Sequence, residues 1–277
     1  MIINSLKREF YFFKIIVNFI IICYNYFEII SYICCMEENM INNYNLEIYL
    51  STHFGKNIKE ITKEEFESLE MLSLDGINID GLYEKIDFED VMGLFPNVKR
   101  LVISNYVFSN TDIVQITRKN VNVFSFYKCD FTNVDNLDLF SNSLEFIIEK
   151  CIFNNYEFLY DGFNDLEVLC VTNPADDEEI DVSKLSCSNV TDLLLERCIL
   201  SNDESFINLS NLEFVNLLNT EVSKEALIKI ADISSLKNLF VSEKYTDEEV
   251  VKIFADKKIN LKFNMNEFLF DDIEEDI

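Results

Sequence analysis

Apolar-x-apolar couplets recur along most of this chain at nearly constant spacing. They fall at Leu72/Leu74, Leu101/Ile103, Phe124/Phe126, Phe146/Ile148, Leu169/Val171, Leu193/Leu195, Val215/Leu217, Leu239/Val241 and Leu261/Phe263, with starts 29, 23, 22, 23, 24, 22, 24 and 22 residues apart. Alternate residues of a strand face opposite ways, so each couplet predicts a short strand with both apolar side chains on one face. Other positions keep step. Three residues before the couplet stands Leu69, Val98, Val121, Leu166, Val190, Leu212 or Leu236, with Ser143 and Lys258 as exceptions. Five residues after its second member comes Ile79, Phe108, Phe131, Phe153, Leu200 or Val222. Three residues after it comes Cys129, Cys151, Cys198 or Thr220.

A unit this short cannot bury its apolar side alone, but stacked neighbours share one continuous core. The expectation is a parallel sheet built from one strand per unit. Phe108, Phe131 and Phe153 should lie one above another as an aromatic spine on the opposite side of the core. The full string, L-x-x-L-x-L-x-x-C/T-x-F, resembles the leucine-rich repeat family from residue 69 to about 265. It departs from the pattern at Ile77, Tyr106, Pro174 and Lys244, which occupy the Cys/Thr position. It departs again where Asp176 and Thr246 replace the inward apolar residue. The resemblance implies an α/β solenoid, with a curved parallel β-sheet on the concave side and mixed helices and turns on the convex side. It also implies a class of work, protein binding without catalysis.

Capping signals place several helices. Asn45 to Phe54 reads as an amphipathic helix stopped by Gly55, and Thr62-Lys-Glu-Glu65 as a capping box opening a second helix through Ser68. This lead-in resembles the entry segment of bacterial leucine-rich repeat proteins. Ser223–Ile230 and Thr246–Phe254 read as capped helices, and Thr132–Ser141 as turns or short 3₁₀ pieces. The acidic run from Asn173 to Lys184 reads as a loop bulging from the stack. The expected organisation is therefore residues 1–35 as a separate hydrophobic segment, 36–68 as a helical cap, 69–265 as about nine repeats and 266–277 as an acidic tail.

Three readings of residues 1–35 stay open. The charge-free run from Ile15 to Phe27 is shorter than the ~20 residues of a spanning helix. It is a signal anchor preceded by Lys7, Arg8 and Lys14, or a signal peptide without a clear cleavage site, or an extension outside a working protein that starts at Met36. The first reading puts the protein at a membrane or cell surface, the last in the cytoplasm.

Charge and composition narrow the function. Fifty Asp and Glu against 23 Lys and Arg leave a net charge of −27, a field that repels nucleic acid. Eight cysteines include no C-x-x-C pair, which argues against a zinc site. The acids at 176–181 lack the spacing and glycine of a calcium loop, and Gly76 and Gly81 form no phosphate cradle. His53, the single histidine, stands in the cap helix without a nucleophile beside it. No catalytic residue, metal or cofactor is expected. Cys129, Cys151 and Cys198 read as buried thiols suited to a reducing interior. Cys129 and Cys151, on neighbouring units, could pair in an oxidising compartment.

The face of the predicted strands carries more information. Its central column reads Ser73, Val102, Ser125, Ile147, Cys170, Leu194, Asn216, Phe240 and Lys262. The next reads Asp75, Ser104, Tyr127, Glu149, Thr172, Glu196, Leu218, Ser242 and Asn264, with Lys128, Lys150 and Arg197 beside it. An exposed apolar line of Ile147, Leu194 and Phe240 with charged flanks is what a partner needs: buried anchors and a polar rim. The candidate protein-binding residues are Val102, Tyr127, Lys128, Ile147, Glu149, Lys150, Leu194, Glu196, Arg197 and Phe240, facing another protein of open identity. Two alternatives stand beside this one. The chain is an acidic protein that holds basic partners electrostatically, or a membrane-anchored surface adhesion protein that uses residues 1–35.

Overall fold

The structure is a computed structural model that describes residues 44–77, 85–117, 120–160, 162–175, 178–185, 187–245 and 247–263. All of them fall in one compact unit. The readings made for residues 1–35, Met36, Ile79, Gly81, Asp176, Asp177, Thr246, Asn264 and the tail at 266–277 lie outside the described residues.

Every apolar couplet lies on a strand or, at the last, runs one residue past its end. In chain order the strands of the main sheet are β1 (Met71–Asp75), β2 (Arg100–Ser104), β3 (Val123–Tyr127), β4 (Glu145–Glu149) and β5 (Val168–Thr172). After a short strand β6 (Glu179–Asp181) come β7 (Asp192–Glu196), a second short strand β8 (Ile199–Ser201), then β9 (Phe214–Leu217), β10 (Asn238–Val241) and β11 (Asn260–Lys262). Nine of them form one sheet in the order β1-β2-β3-β4-β5-β7-β9-β10-β11, all parallel. The register aligns Leu72, Leu101, Phe124, Phe146, Leu169, Leu193, Val215, Leu239 and Leu261 in one row. The first eight are at most 2 % exposed. One strand per unit, laid in register beside the last, is the stacking that the unit's short apolar side demands.

The spine forms as the repeat predicts. Phe108 stacks on Phe131 at 4.6 Å and 8°, and Phe131 on Phe153 at 4.7 Å and 5°. Phe88 extends the stack at 6.0 Å from Phe108. Phe88 opens helix α3 (Phe88–Leu94), where the side chain of Asp87 accepts from the Asp90 amide. Helix α3 and α4 (Asn110–Thr117) were not read from the sequence; their apolar residues are few and spaced over barely two turns.

The Cys/Thr position explains itself chemically. The Cys129 thiol donates to the Ile103 and Tyr127 carbonyls, while the Cys129 amide donates to the Cys151 sulfur at 3.4 Å. Thr220 repeats the pattern with oxygen, accepting from the Cys198 amide at 3.2 Å and donating to the Leu195 carbonyl at 2.5 Å. A small side chain that both donates and accepts thereby closes each turn against its neighbour. The five described cysteines, at 129, 151, 170, 187 and 198, are buried free thiols. Burial pushes Cys187 up to about 12 and holds Cys129 and Cys170 well above the ordinary thiol range.

At the β1 edge, helices α1 (Tyr44–Phe54) and α2 (Lys63–Ser68) precede the sheet. The Asn45 amide donates to the Asp75 and Ile77 carbonyls, and the Tyr49 hydroxyl to the Met71 carbonyl. These bonds occupy carbonyls on an edge strand that would otherwise invite pairing. Gly55 adopts φ +64 where the first helix stops, and Thr62 and Glu65 make the expected reciprocal capping box. At the other end, α5 (Lys224–Ile230) is capped by Ser223 as expected, whereas α6 (Glu248–Asp256) is capped by Asp247.

The acidic run at 173–184 is not wholly a loop. Glu179–Asp181 is strand β6, paired in parallel with β8 so that Ile180 meets Leu200, and Val182–Lys184 is a 3₁₀ turn. Ile180 is fully buried and Val182 nearly so. The unit that lacks an inward apolar residue at its regular place supplies one four residues later, from a segment whose acids face out.

Candidate binding surface

The central column lies in register, with Ser73, Val102, Ser125, Ile147, Cys170, Leu194, Asn216, Phe240 and Lys262 side by side. Its exposure corrects the expected apolar line. Ile147 is half-buried, but Leu194 is 3 % exposed, Phe240 1 % and Val102 9 %. Two causes act together. Side chains in register sit about 4.8 Å apart and shield one another, and Phe240 also packs on the Phe214 ring at 5.3 Å. Polar members are drawn in as well: Asn216 Oδ1 accepts from the Leu218 amide at 2.9 Å. On the other side of this column, Arg100 on β2 reaches over Val123 to Glu145 on β4 at 2.8 Å. Val102, Leu194 and Phe240 are thus core-like, and the accessible chemistry lies elsewhere.

It lies along the strand exits. Tyr127, Glu149 and Glu196 are half-buried, and Lys128, Lys150 and Arg197 are exposed. Lys128 Nζ lies 5.0 Å from the Tyr127 ring centroid and Lys150 Nζ 5.2 Å, while Lys150 also donates to the Tyr127 hydroxyl at 3.3 Å. Lys150 pairs with Glu149 at 3.6 Å, and Asn219 donates to Glu196 at 3.4 Å. Burial works against the Lys150 ammonium, yet the Tyr127 hydroxyl and Glu149 hold its pKa above the ordinary lysine value. Sequence reasoning placed six of its ten candidates on this accessible cluster, and Ile147 adjoins it.

A feature of the backbone went unread. The residue after each of six consecutive strands of the main sheet, β2 to β9, has a left-handed conformation: Asn105, Lys128, Lys150, Asn173, Arg197 and Asn219, with φ between 47 and 58. In five of them the amide then donates to a carbonyl on the next strand or its last residue's exit, as Lys128 does to Glu149 at 2.9 Å and Lys150 to Thr172 at 3.0 Å. Asn219 donates instead to the Ser242 hydroxyl at 2.8 Å. Asn accepts this geometry readily, whereas Lys and Arg carry a cost of about 1–2 kcal/mol each.

Glu149 ties the surface to pH. Burial raises its pKa, opposed by Lys150 and reinforced by Glu196. A carboxyl whose folded pKa lies above its unfolded value binds its proton more tightly when folded. Stability therefore falls as pH rises from the unfolded value through the folded one. Glu149→Gln should raise the melting temperature at pH 7.5, and the gain should vanish below about pH 4, where both forms are neutral. Thermal melts of the two proteins across that range measure it.

One strand per unit, parallel pairing in sequential order, the inward L-x-x-L-x-L pattern and the closing Cys/Thr side chain define the class: an α/β leucine-rich repeat solenoid. No family model matches the chain, and no curated protein does. Among solved structures it is similar to an internalin from Listeria monocytogenes str. 4b F2365, with 12 % identity over 81 % of this chain and 90 % of that chain, at a TM-score of 0.43. Among the described residues, no group of three or more His, Cys, Asp and Glu is placed to hold a metal ion. No helix among them is long and apolar enough to cross a membrane.

Proposed function

We propose that this protein is a non-catalytic scaffold that binds another protein along the exits of its strands, centred on Tyr127. The observation that carries the reading is the accessible cluster of Tyr127, Lys128, Lys150, Glu149, Glu196 and Arg197 on neighbouring coils. An aromatic ring fixed by two cations offers a rigid, low-entropy anchor, and the charged side chains around it form a rim. A repeat scaffold holds such groups at fixed intervals without motion on binding.

Affinity capture from source cells tests it, with the wild-type chain beside a Tyr127→Ala/Glu196→Lys variant. Both positions are half-buried, so the fold should survive, which far-UV circular dichroism checks. A protein recovered by the wild type and lost with the variant supports the reading, and identical captured sets would retire it. The electrostatic alternative separates by salt. Nonspecific capture of basic proteins should collapse by about 0.5 M NaCl, while the anchored contact should persist.

A further inference from the structure

Two rows run side by side across the coils at the strand exits. The first is the left-handed row, in which Lys128, Lys150 and Arg197 stand where Asn serves on the other coils. The backbone ladder needs the conformation and not the charge, so the ladder does not account for the three cations. Elsewhere the lysines are consumed between coils: Lys99 meets Glu70, Lys237 meets Glu213 and Lys257 meets Asp232. Among the described residues, Lys128 and Arg197 have no carboxylate within 4.0 Å.

The second row lies two residues further along each coil. It holds Val107 at 46 % exposure, Ile152 at 38 % and Ile199 at 46 %, three of the large apolar side chains the fold leaves in water. Parallel bridges join Val107 to Asp130 and Asp130 to Ile152, so the row is in register. Its apolar members recur on every second coil, from the coil of β2 to that of β4 and then β7, at about 10 Å. A polyproline-type extended segment rises about 3.1 Å per residue with three residues per turn, and so returns the same face every ~9.3 Å.

We infer that this flank docks an extended acidic segment of a partner protein, with an apolar side chain at every third position to cover Val107, Ile152 and Ile199 and carboxylates between them to meet Lys128, Lys150 and Arg197. The local cations select acids although the whole chain is strongly negative. At 0.15 M salt the far charges are screened beyond about 8 Å, and only near ones act. The apolar row supplies contact that salt does not remove. This deepens the proposed function and rests on it only in assuming that the ligand is a protein.

A random dodecapeptide phage library selected on the full chain at 0.15 M NaCl tests the inference, with Lys128→Glu/Arg197→Glu as the counter-target. Both side chains are exposed, so the variant should keep its melting temperature. The expected result is enrichment of peptides rich in Asp and Glu with apolar residues at i, i+3 and i+6, whose binding falls at least tenfold on the double variant. Basic or uncharged winners, a period other than three, or equal binding to both proteins would overturn it. A wild-type dimer that the variant dissociates in sedimentation would make the flank a self-contact and overturn it too. If the captured partner is lost with Tyr127→Ala/Glu196→Lys but kept by Lys128→Glu/Arg197→Glu, the proposed function stands and this inference fails.

Discussion

Phe131→Ala is expected to lower the unfolding free energy by about 3–5 kcal/mol. The ring is 1 % exposed and lies between Phe108 and Phe153 in nearly parallel stacks, with Phe126 edge-on at 5.1 Å. Truncation leaves a cavity shared by three coils, and neighbours fixed by backbone ladders on both sides can close it only in part. The loss should appear as a fall of about 1–2 M in the urea midpoint, at an m-value of about 2–3 kcal/mol/M. A solenoid is held together by contacts between neighbours, so the transition should also broaden as the two halves uncouple. Phe131→Leu, which keeps most of the volume, should cost less than half as much.

Leu194→Asp should be equally damaging, although the position sits on the sheet face turned away from the core. At 3 % exposure the carboxylate would lie between Cys170 and Asn216 with no cation placed to meet it. The lost apolar contact and the buried charge together should cost at least about 3 kcal/mol. Denaturant titration measures it. A midpoint within 0.3 M of the wild type, a margin well below the ~1 M shift that this cost implies, would show that the column is open to solvent after all. It would also restore Leu194 and Phe240 as partner anchors.

The contrast between these residues shows what a one-dimensional pattern carries. Residues whose role depends on alternation along a strand were legible: Leu72, Leu101 and Phe124 fell in one row because the repeat period and the strand period together determine their direction. The spine was legible for the same reason, since equal offsets from equal strands must stack. Exposure of the other face was not legible. Whether Leu194 or Phe240 meets water depends on how its flanking side chains close over it, and the sequence gives only their identities. The left-handed row at Asn105, Lys128, Lys150, Asn173, Arg197 and Asn219 had a faint signal, three asparagines at one offset from the couplet, which the cations in the same row obscured. The β6–β8 pairing was hidden by its acids; the alternation of Ile180 and Val182 among charged residues was the available clue.

Zero-length carbodiimide cross-linking of the unmodified chain, read by peptide mass spectrometry, tests the stacked-coil account most directly. Lysines and acids on adjacent coils touch: Lys99 and Glu70 at 2.6 Å, Lys237 and Glu213 at 2.5 Å, Lys224 and Glu249 at 2.7 Å, Lys257 and Asp232 at 2.5 Å. The account predicts that isopeptide bonds join these pairs, which are 24 to 29 residues apart, one coil to the next. A pattern dominated by links that skip coils, with these four absent, would contradict it.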